Sequence, residues 1–264
     1  FRSVMDPSQI SIIEQLKDDY PGLRRSLDVY YGDVVRDAAM DGLNARFITP
    51  GGLAFDIGSH VGDRVGSFRR LGARVVAIEP QPDCVAVIGR VYAADRDVHV
   101  EEAACGTDPG VLQLRVNSAN PTVTTASDGF DEAAEGAEGR EGQVWDREIE
   151  VPAVTLDQLV AKYGMPDFAK IDVEGFEDQV LAGLTLPVAA LSFEFTTIDR
   201  DVACRCLQRL AALGPYRFNI ALGESHKLTL GDGNEIDAIA MAAHVRALPH
   251  EANSGDIYAI LQVR

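Results

Sequence analysis

The chain has 264 residues, 46% hydrophobic, 7% aromatic and 25% charged; this is ordinary globular composition with length for one large domain or two small ones, and it excludes a mainly disordered chain. Lysine and arginine total 24 against 41 acids, a formal charge of -17, so a nucleic acid backbone and an anionic membrane surface are repelled as partners. No apolar run approaches the roughly 18 residues that span a bilayer, and Phe1 to Met5 carries no basic flank and apolar core of a secretory signal, so a cytoplasmic location is expected.

In chain order, Ser8 is a good helix N-cap with Ile10, Ile13 and Leu16 behind it at helical spacing, and a second helix is expected from Leu27 to Leu43 after Pro21-Gly22. These stretches predict a helical N-terminal cap over residues 1–50. From Thr49-Pro50-Gly51-Gly52 onward, short apolar strands alternate with helical segments. Strands are expected at Leu53 to Ile57, Arg74 to Ile78, Val98 to Glu101, Phe168 to Asp172 and Ala190 to Phe195. Between them Asp63 to Leu71, Cys84 to Ala94, Thr155 to Tyr163, Glu174 to Leu184 and Asp201 to Leu213 each carry an apolar stripe of helical period. The alternation predicts an α/β fold over residues 51–264, with a mainly parallel sheet covered on both faces.

The end of the chain departs from that rhythm. Tyr216 to Leu222 and Ile257 to Val263 read as a closing antiparallel pair with a helical insertion, Ile236 to Leu248, between them. Residues 128–148 hold eight acids and two arginines with several Gly and Ala, which predicts a mobile acidic insertion; Phe130 and Trp145 within it leave a ligand-ordered lid as the alternative. Cys84, Cys105, Cys204 and Cys206 form no paired metal-binding knuckles and read as small buried hydrophobes in a reducing compartment.

The strongest local signal is Phe55-Asp56-Ile57-Gly58-Ser59-His60-Val61-Gly62, a buried strand running into a glycine turn and then a helix. Glycines there let the backbone approach a ligand closely. Gly58 and Gly62 make Gly-x-x-x-Gly, whereas a dinucleotide fingerprint requires Gly-x-Gly-x-x-Gly. An uncharged turn preceded by an acid suits a nucleoside that bears a cation. Glu79 ends the following strand 23 residues after Asp56, where a carboxylate accepts hydrogen bonds from both ribose hydroxyls. A third block, Pro166 to Glu177, is an apolar strand that ends in acids and opens a helix. In a parallel sheet Asp56, Glu79 and Asp172 would converge at the carboxyl ends of their strands. Singly, Asp56 serves equally well as a turn cap and Glu79 as a surface acid; Glu177 reads as an acid placed favourably in a first helical turn.

These residues resemble the FkbM family of S-adenosylmethionine-dependent methyltransferases. The resemblance lies in Phe55 to Gly62, in Ile78-Glu79-Pro80, in Val151-Pro152-Ala153-Val154-Thr155-Leu156-Asp157, and in Lys170-Ile171-Asp172-Val173-Glu174-Gly175-Phe176-Glu177 followed by Val180 to Leu184. It implies a class I methyltransferase (Rossmann-like) fold, with a seven-stranded sheet whose last strand is antiparallel. It also implies S-adenosyl-L-methionine as cofactor and a hydroxyl-bearing sugar or secondary metabolite as acceptor. Carried over by position, Asp56, Gly58, Ser59, His60 and Gly62 line the methionine and ribose side, Glu79 and Pro80 the ribose, Ala104 and Cys105 the adenine, and Asp172 faces the reacting methyl group. His60 departs from the small or amide residue that many relatives carry there.

Methyl transfer from a sulfonium requires an aligned acceptor and removal of its proton. Asp172 is the expected base. With Glu194 at the next strand tip it forms a pair that suits Mg2+, although two carboxylates alone make a divalent cation the weaker expectation. His60 and His226 are alternative bases, Lys170 shares the sheet face of Asp172 and is placed to pair with it, and Asn117, Thr124 and Thr125 are candidate acceptor contacts. Two other readings share the strand-turn-helix pattern: a nicotinamide-dependent oxidoreductase or epimerase, disfavoured by the Gly spacing, and a non-catalytic nucleoside-binding module. The oligomeric state is open.

Overall fold

Strand β1 (Leu53–Ile57) shows how the sheet is assembled. Successive side chains of a strand point to opposite faces, so Leu53, Phe55 and Ile57 enter one apolar layer and Ala54 the other. All five residues are buried, as expected of a strand covered on both sides. The computed structural model describes residues 7–118, 124–127 and 144–262. In it β1 is an inner strand of a seven-stranded sheet with β2 (Arg74–Ile78), β3 (Val98–Glu101), β7 (Phe168–Ile171), β8 (Ala190–Thr196), β9 (Tyr216–Leu222) and β10 (Ser254–Leu261).

The strand order is β3-β2-β1-β7-β8-β10-β9. The first five run parallel, while β10, the last in sequence, inserts antiparallel to both β8 and β9. This is the class I methyltransferase architecture that the resemblance implied. The parallel connections place the carboxyl ends of β1, β2, β7 and β8 along one edge, which is where an open α/β sheet takes its ligands.

One face of the sheet buries Phe55, Ile171, Phe193, Phe218 and Ile257 against α6 (Leu156–Tyr163), α7 (Glu177–Ala182), α8 (Arg200–Leu213) and α9 (Ala238–Ala247). The other face buries Ala54, Val75, Ala77 and Ala190, together with the larger Phe168 and Tyr258, beneath α3 (Val34–Asn44), α4 (Asp63–Arg70) and α5 (Pro82–Val91). Each large apolar side chain so buried contributes about 1.5–3 kcal/mol. A third apolar group joins Ile13 and Leu16 of α1 (Pro7–Asp19) and Leu27 of α2 (Arg24–Tyr30) to Val61 and to Cys84, Val87 and Val91 of α5. The N-terminal helices are thereby packed beside the glycine turn.

Several expectations are corrected. The helix expected from Leu27 to Leu43 is two helices, because Gly32 takes a φ of +108° and Asp33 starts α3 afresh by accepting the N–H groups of Val35 and Arg36. The helix expected from Glu174 begins only at Glu177, since Glu174 and Gly175 both have positive φ. The closing strand spans Ser254–Leu261 rather than Ile257 to Val263, and Val263 lies outside the described residues. A second sheet, β4 (Ala104–Cys105), β6 (Arg147–Val154) and β5 (Gly110–Val116), has no counterpart in the sequence reading. Its β6 absorbs Arg147 and Glu148 from the end of the acidic segment; residues 128–143 of that segment, with Phe130, lie outside the described residues. All four cysteines are buried and free.

Candidate active site

The turn after β1 is built by backbone constraints. Gly58 has a φ of +81°, and a Cβ on it would stand 1.8 Å from the carbonyl oxygen of Asp172, so no other residue fits there. The N–H groups of Gly58 and Ser59 donate to the carbonyl of Ile78, and that of Gly62 to Ser59. Ser59 Oγ donates to the carbonyl of Asp56 at 2.7 Å. Two tyrosines pin the far side of the turn, Tyr31 donating to the carbonyl of Val61 at 2.6 Å and Tyr92 to that of Gly62 at 2.7 Å. Gly62, φ +85°, is the residue from which α4 starts.

Glu79, 2% exposed, ties the turn to the next strand. One carboxylate oxygen accepts the His60 N–H and the other the Gln81 N–H, each at 2.9 Å. Burial outweighs these two bonds and pushes the carboxyl up to about 7. The Gln81 side chain bonds the same carboxylate, and of its four lone-pair sites one remains for a hydroxyl donor.

Two cavities meet at this turn. The first, about 570 Å³, is a mainly apolar slot whose walls include Ile57, Ile78, Pro80, Ala104, Cys105 and Phe176, with Glu79 and Thr124 as polar points. The second, about 810 Å³, is polar, and Tyr30, Arg36, Asp56, Arg64, Glu194 and Glu224 are among its walls. Gly58, His60, Asp172 and Glu174 line both, so the apolar slot opens into an acidic chamber across the end of β1.

The chamber's floor is a row of polar residues across the sheet. Asp56 pairs in register with Lys170 on β7, and Glu194 on β8 with Asp256 on β10. Lys170 Nζ stands 3.2 Å from Asp172 Oδ2 and bonds Asp256. Burial works against its charge, but Asp172 and Asp256 hold its pKa above the ordinary lysine value. Asp56 is 1% exposed, its Oδ2 has no hydrogen-bond partner, and burial pushes it up to about 7. Glu194 Oε2 is closed to solvent and also without a hydrogen-bond partner; burial, then the charges of Asp172 and Glu174, keep that carboxyl well above its usual range.

The sequence candidates thus fall in distinct places. Glu79, Pro80, Ala104 and Cys105 line the slot; Asp56, Ser59 and Glu194 line the chamber; Gly58, His60 and Asp172 line both; Gly62 shapes the turn without lining either. The His60 ring has Nε2 at 2.8 Å from Ser26 Oγ and Nδ1 at 3.6 Å from Cys84 Sγ, and burial lowers it to about 4, a neutral imidazole at pH 7. His226 is 3.5 Å from Glu224 and lines neither cavity. Thr124 donates to Gln81, and Thr125 to the carbonyl of Glu174 at 2.7 Å. Glu177 does more than favour a helix start: it is buried and accepts the N–H groups of Val173 and Gly175, clamping the loop after β7. Sequence reasoning missed Tyr30, Arg36 and Glu224, which no local pattern marks, and Asp63 and Arg64, which directly follow the glycine turn.

Residues 56–242 match the methyltransferase FkbM domain, well over half of the chain. The chain belongs to the FkbM methyltransferase family. S-adenosylmethionine is accordingly the cofactor of this FkbM methyltransferase. The cavities fit it: an apolar slot with a buried carboxylate suits a nucleoside, and the unpartnered Asp56 oxygen in the chamber suits the cationic amino acid end. Among solved structures, the FkbM chain is similar to a TehB-like S-adenosylmethionine-dependent methyltransferase from Corynebacterium glutamicum (11% identity, 93% of this chain and 98% of that one, TM-score 0.46). It is also similar to a precorrin-6y C5,15-methyltransferase from Geobacter metallireducens (13%, 88% and 90%, 0.44) and to an O-methyltransferase from Bacillus cereus in complex with SAH (11%, 96% and 91%, 0.44). No curated protein matches the chain. Among the described residues no helix is long and apolar enough to cross a membrane.

Proposed function

We propose that this methyltransferase acts on a hydroxyl oxygen of a small molecule, a sugar or a secondary metabolite, held in the acidic chamber. The observation that carries the reading is the junction at Gly58 and Asp172, where the nucleoside-shaped slot opens directly onto a row of carboxylates. When bound, S-adenosylmethionine supplies an electrophilic methyl carbon: the acceptor O–C bond forms as the C–S bond breaks and its electron pair stays on sulfur.

Glu79 would hold the ribose with the lone-pair capacity that its bonds to His60 and Gln81 leave over, Ala104 and Cys105 would cover the adenine, and Asp56 would receive the methionine ammonium. Asp172, half-exposed at the shared mouth, takes the acceptor's proton, and Glu194 stands beside it. With its ring atoms directed to Ser26 and Cys84, His60 is read as part of the wall, and the base role is given to the carboxylates. Residues 1–50 serve as a cap on a catalytic unit of residues 51–264. The acidic chamber and the charge of -17 favour a neutral or cationic acceptor over a polyanion such as nucleic acid.

Calorimetric titration with S-adenosylhomocysteine, S-adenosylmethionine and NAD tests the cofactor half, and turnover with a panel of hydroxyl and amine acceptors the other. Glu79→Ala is expected to weaken S-adenosylhomocysteine by roughly 30-fold or more, the loss of charge-assisted hydrogen bonds. Asp172→Asn should abolish turnover and leave that affinity within about threefold, a change of under about 0.7 kcal/mol. Binding of NAD in preference, or full activity in Asp172→Asn, would overturn the assignment.

A further inference from the structure

Resting on the cofactor reading of the two cavities, we propose that Arg64, with Arg36 beside it, binds the carboxylate of the cofactor's methionine end, whose ammonium goes to Asp56. Both arginines line the polar chamber. Their side chains are only 14% and 11% exposed. Glu224 meets both, at 3.9 Å from Arg64 and 3.1 Å from Arg36.

The donors of these two guanidiniums are under-used. Arg64 Nη1 lies 3.7 Å from Met40 Sδ, a weak acceptor. Arg64 Nη2 stands 3.8 Å from Asp256 and 3.9 Å from Glu224, beyond hydrogen-bond length. Arg36 donates from Nη2 to Asp63 at 2.8 Å and to Glu224 at 3.1 Å, while its Nη1 is closed to solvent and has no hydrogen-bond partner. The Tyr30 ring centroid lies 4.9 Å from Arg36 Cζ; that contact covers a face of the guanidinium, whereas its N–H groups point in the plane. A guanidinium holds its donors in a rigid fork that matches a carboxylate, and burying them unmet costs free energy until an oxygen-bearing ligand arrives.

Two observations favour the carboxylate of the cofactor over one on the acceptor. The first is the company of Asp56, whose Oδ2 is an orphaned acceptor in the same chamber. Among the charges around Asp56, Arg64 acts on it most strongly. An α-amino acid carries its ammonium and its carboxylate on one carbon, so the groups that receive them must be neighbours. The second is charge. Among the described residues, six carboxylates line the chamber against these two guanidiniums. A zwitterionic amino acid end adds no net charge there, whereas an anionic acceptor would meet the acids without a cation of its own. Arg64 lies in the first turn of α4 and Arg36 in α3, so the helical cap would hold the cofactor together with the sheet edge.

The test is calorimetric binding, to the full chain, of S-adenosylhomocysteine and of its decarboxylated analogue, the same thioether nucleoside with a 3-aminopropyl chain. The wild type is expected to bind the analogue more weakly by about tenfold or more. Arg64→Gln should weaken S-adenosylhomocysteine by about tenfold or more and the analogue by less than about threefold; Arg36→Gln should act in the same sense by a smaller factor. Arg46→Gln, which breaks an exposed pair with Asp232, should change neither and so measures the effect of net charge alone. If Arg64→Gln does not fold, the wild-type comparison and Arg36→Gln decide. Equal affinity of the wild type for the two ligands overturns the carboxylate site, and so does equal weakening of both in Arg64→Gln, which would mark that arginine as structural. Unchanged S-adenosylhomocysteine affinity in both arginine variants overturns it too, and a raised acceptor KM would then give the pair to the acceptor. Failure of the wild type to bind S-adenosylhomocysteine at all sinks the cofactor reading beneath it, so the two failures are distinct.

Discussion

His60 occupies a φ of +48° in the glycine turn, and its burial makes the stability of the fold depend on pH. The folded protein keeps the ring neutral down to about 4, against an ordinary 6.5. Above 6.5 neither state carries the proton, so the stability is unaffected. Below it the unfolded chain takes a proton that the fold refuses, and the fold loses stability until about pH 4. Each unit is worth about 1.4 kcal/mol, a ceiling of about 3 kcal/mol. His60→Asn tolerates the left-handed backbone and lacks this titration. Urea unfolding at pH 7 and pH 4.5 should show the wild type losing about 2–3 kcal/mol relative to the variant. A constant difference would mean that the ring is accessible to protons. Of the residues at this scale, Gly58, Glu79 and Asp172 are legible because their positions follow from strand ends and turn chemistry. The bonds from Tyr31 and Tyr92 to the turn are not, since each joins residues 30 apart in sequence.

At the scale of elements, the N-terminal helices are held to the sheet layer by Leu16 and Leu27, fully buried against Val61, Val87 and Val91, with the Ser26–His60 contact and the Asp19–Arg90 ion pair beside them. Leu27→Ala should therefore cost about 2–5 kcal/mol, the transfer loss plus the cavity left behind, read as a lower urea midpoint with an unchanged slope. An unchanged midpoint would show that α1 and α2 are not coupled to the fold. The β-α alternation is legible because period 2 and period 3.6 are local properties of the chain. The helix break at Gly32 and Asp33 is hidden because apolar residues continue at helical spacing through it. The β5–β6 pair is hidden too: its burial alternates weakly, with only Leu114, Val116, Val151 and Ala153 well covered, and Arg147, Glu148, Glu150 and Pro152 take the exposed positions of β6.

For the whole molecule, ligand binding and folding are linked. S-adenosylhomocysteine at about a hundred times its Kd adds about 2.7 kcal/mol to the folded state, a rise of roughly 5 °C in Tm for a chain of this length. Glu79→Ala should lose most of that rise at the same ligand concentration, while Leu27→Ala should start from a lower Tm and keep it. A thermal scan of the three proteins with and without ligand separates the two behaviours. Equal shifts in all three would place the nucleoside elsewhere than beside Glu79.

The sequence by itself determined the parallel sheet, its family and the places of Asp56, Glu79, Asp172 and Glu194 at or near the carboxyl ends of their strands, because these depend on patterns that repeat within a few residues. Parallel connection then forces those tips onto one edge. Only the tertiary structure decided that Arg36, Tyr30 and Glu224 wall the acidic chamber, that Glu174 joins Asp172 and Glu194, and that Lys170 is shared with Asp256. Those groupings unite segments far apart in the chain, and what brings them together is the packing of α3 and α4 on one face of the sheet and the insertion of β10 beside β8.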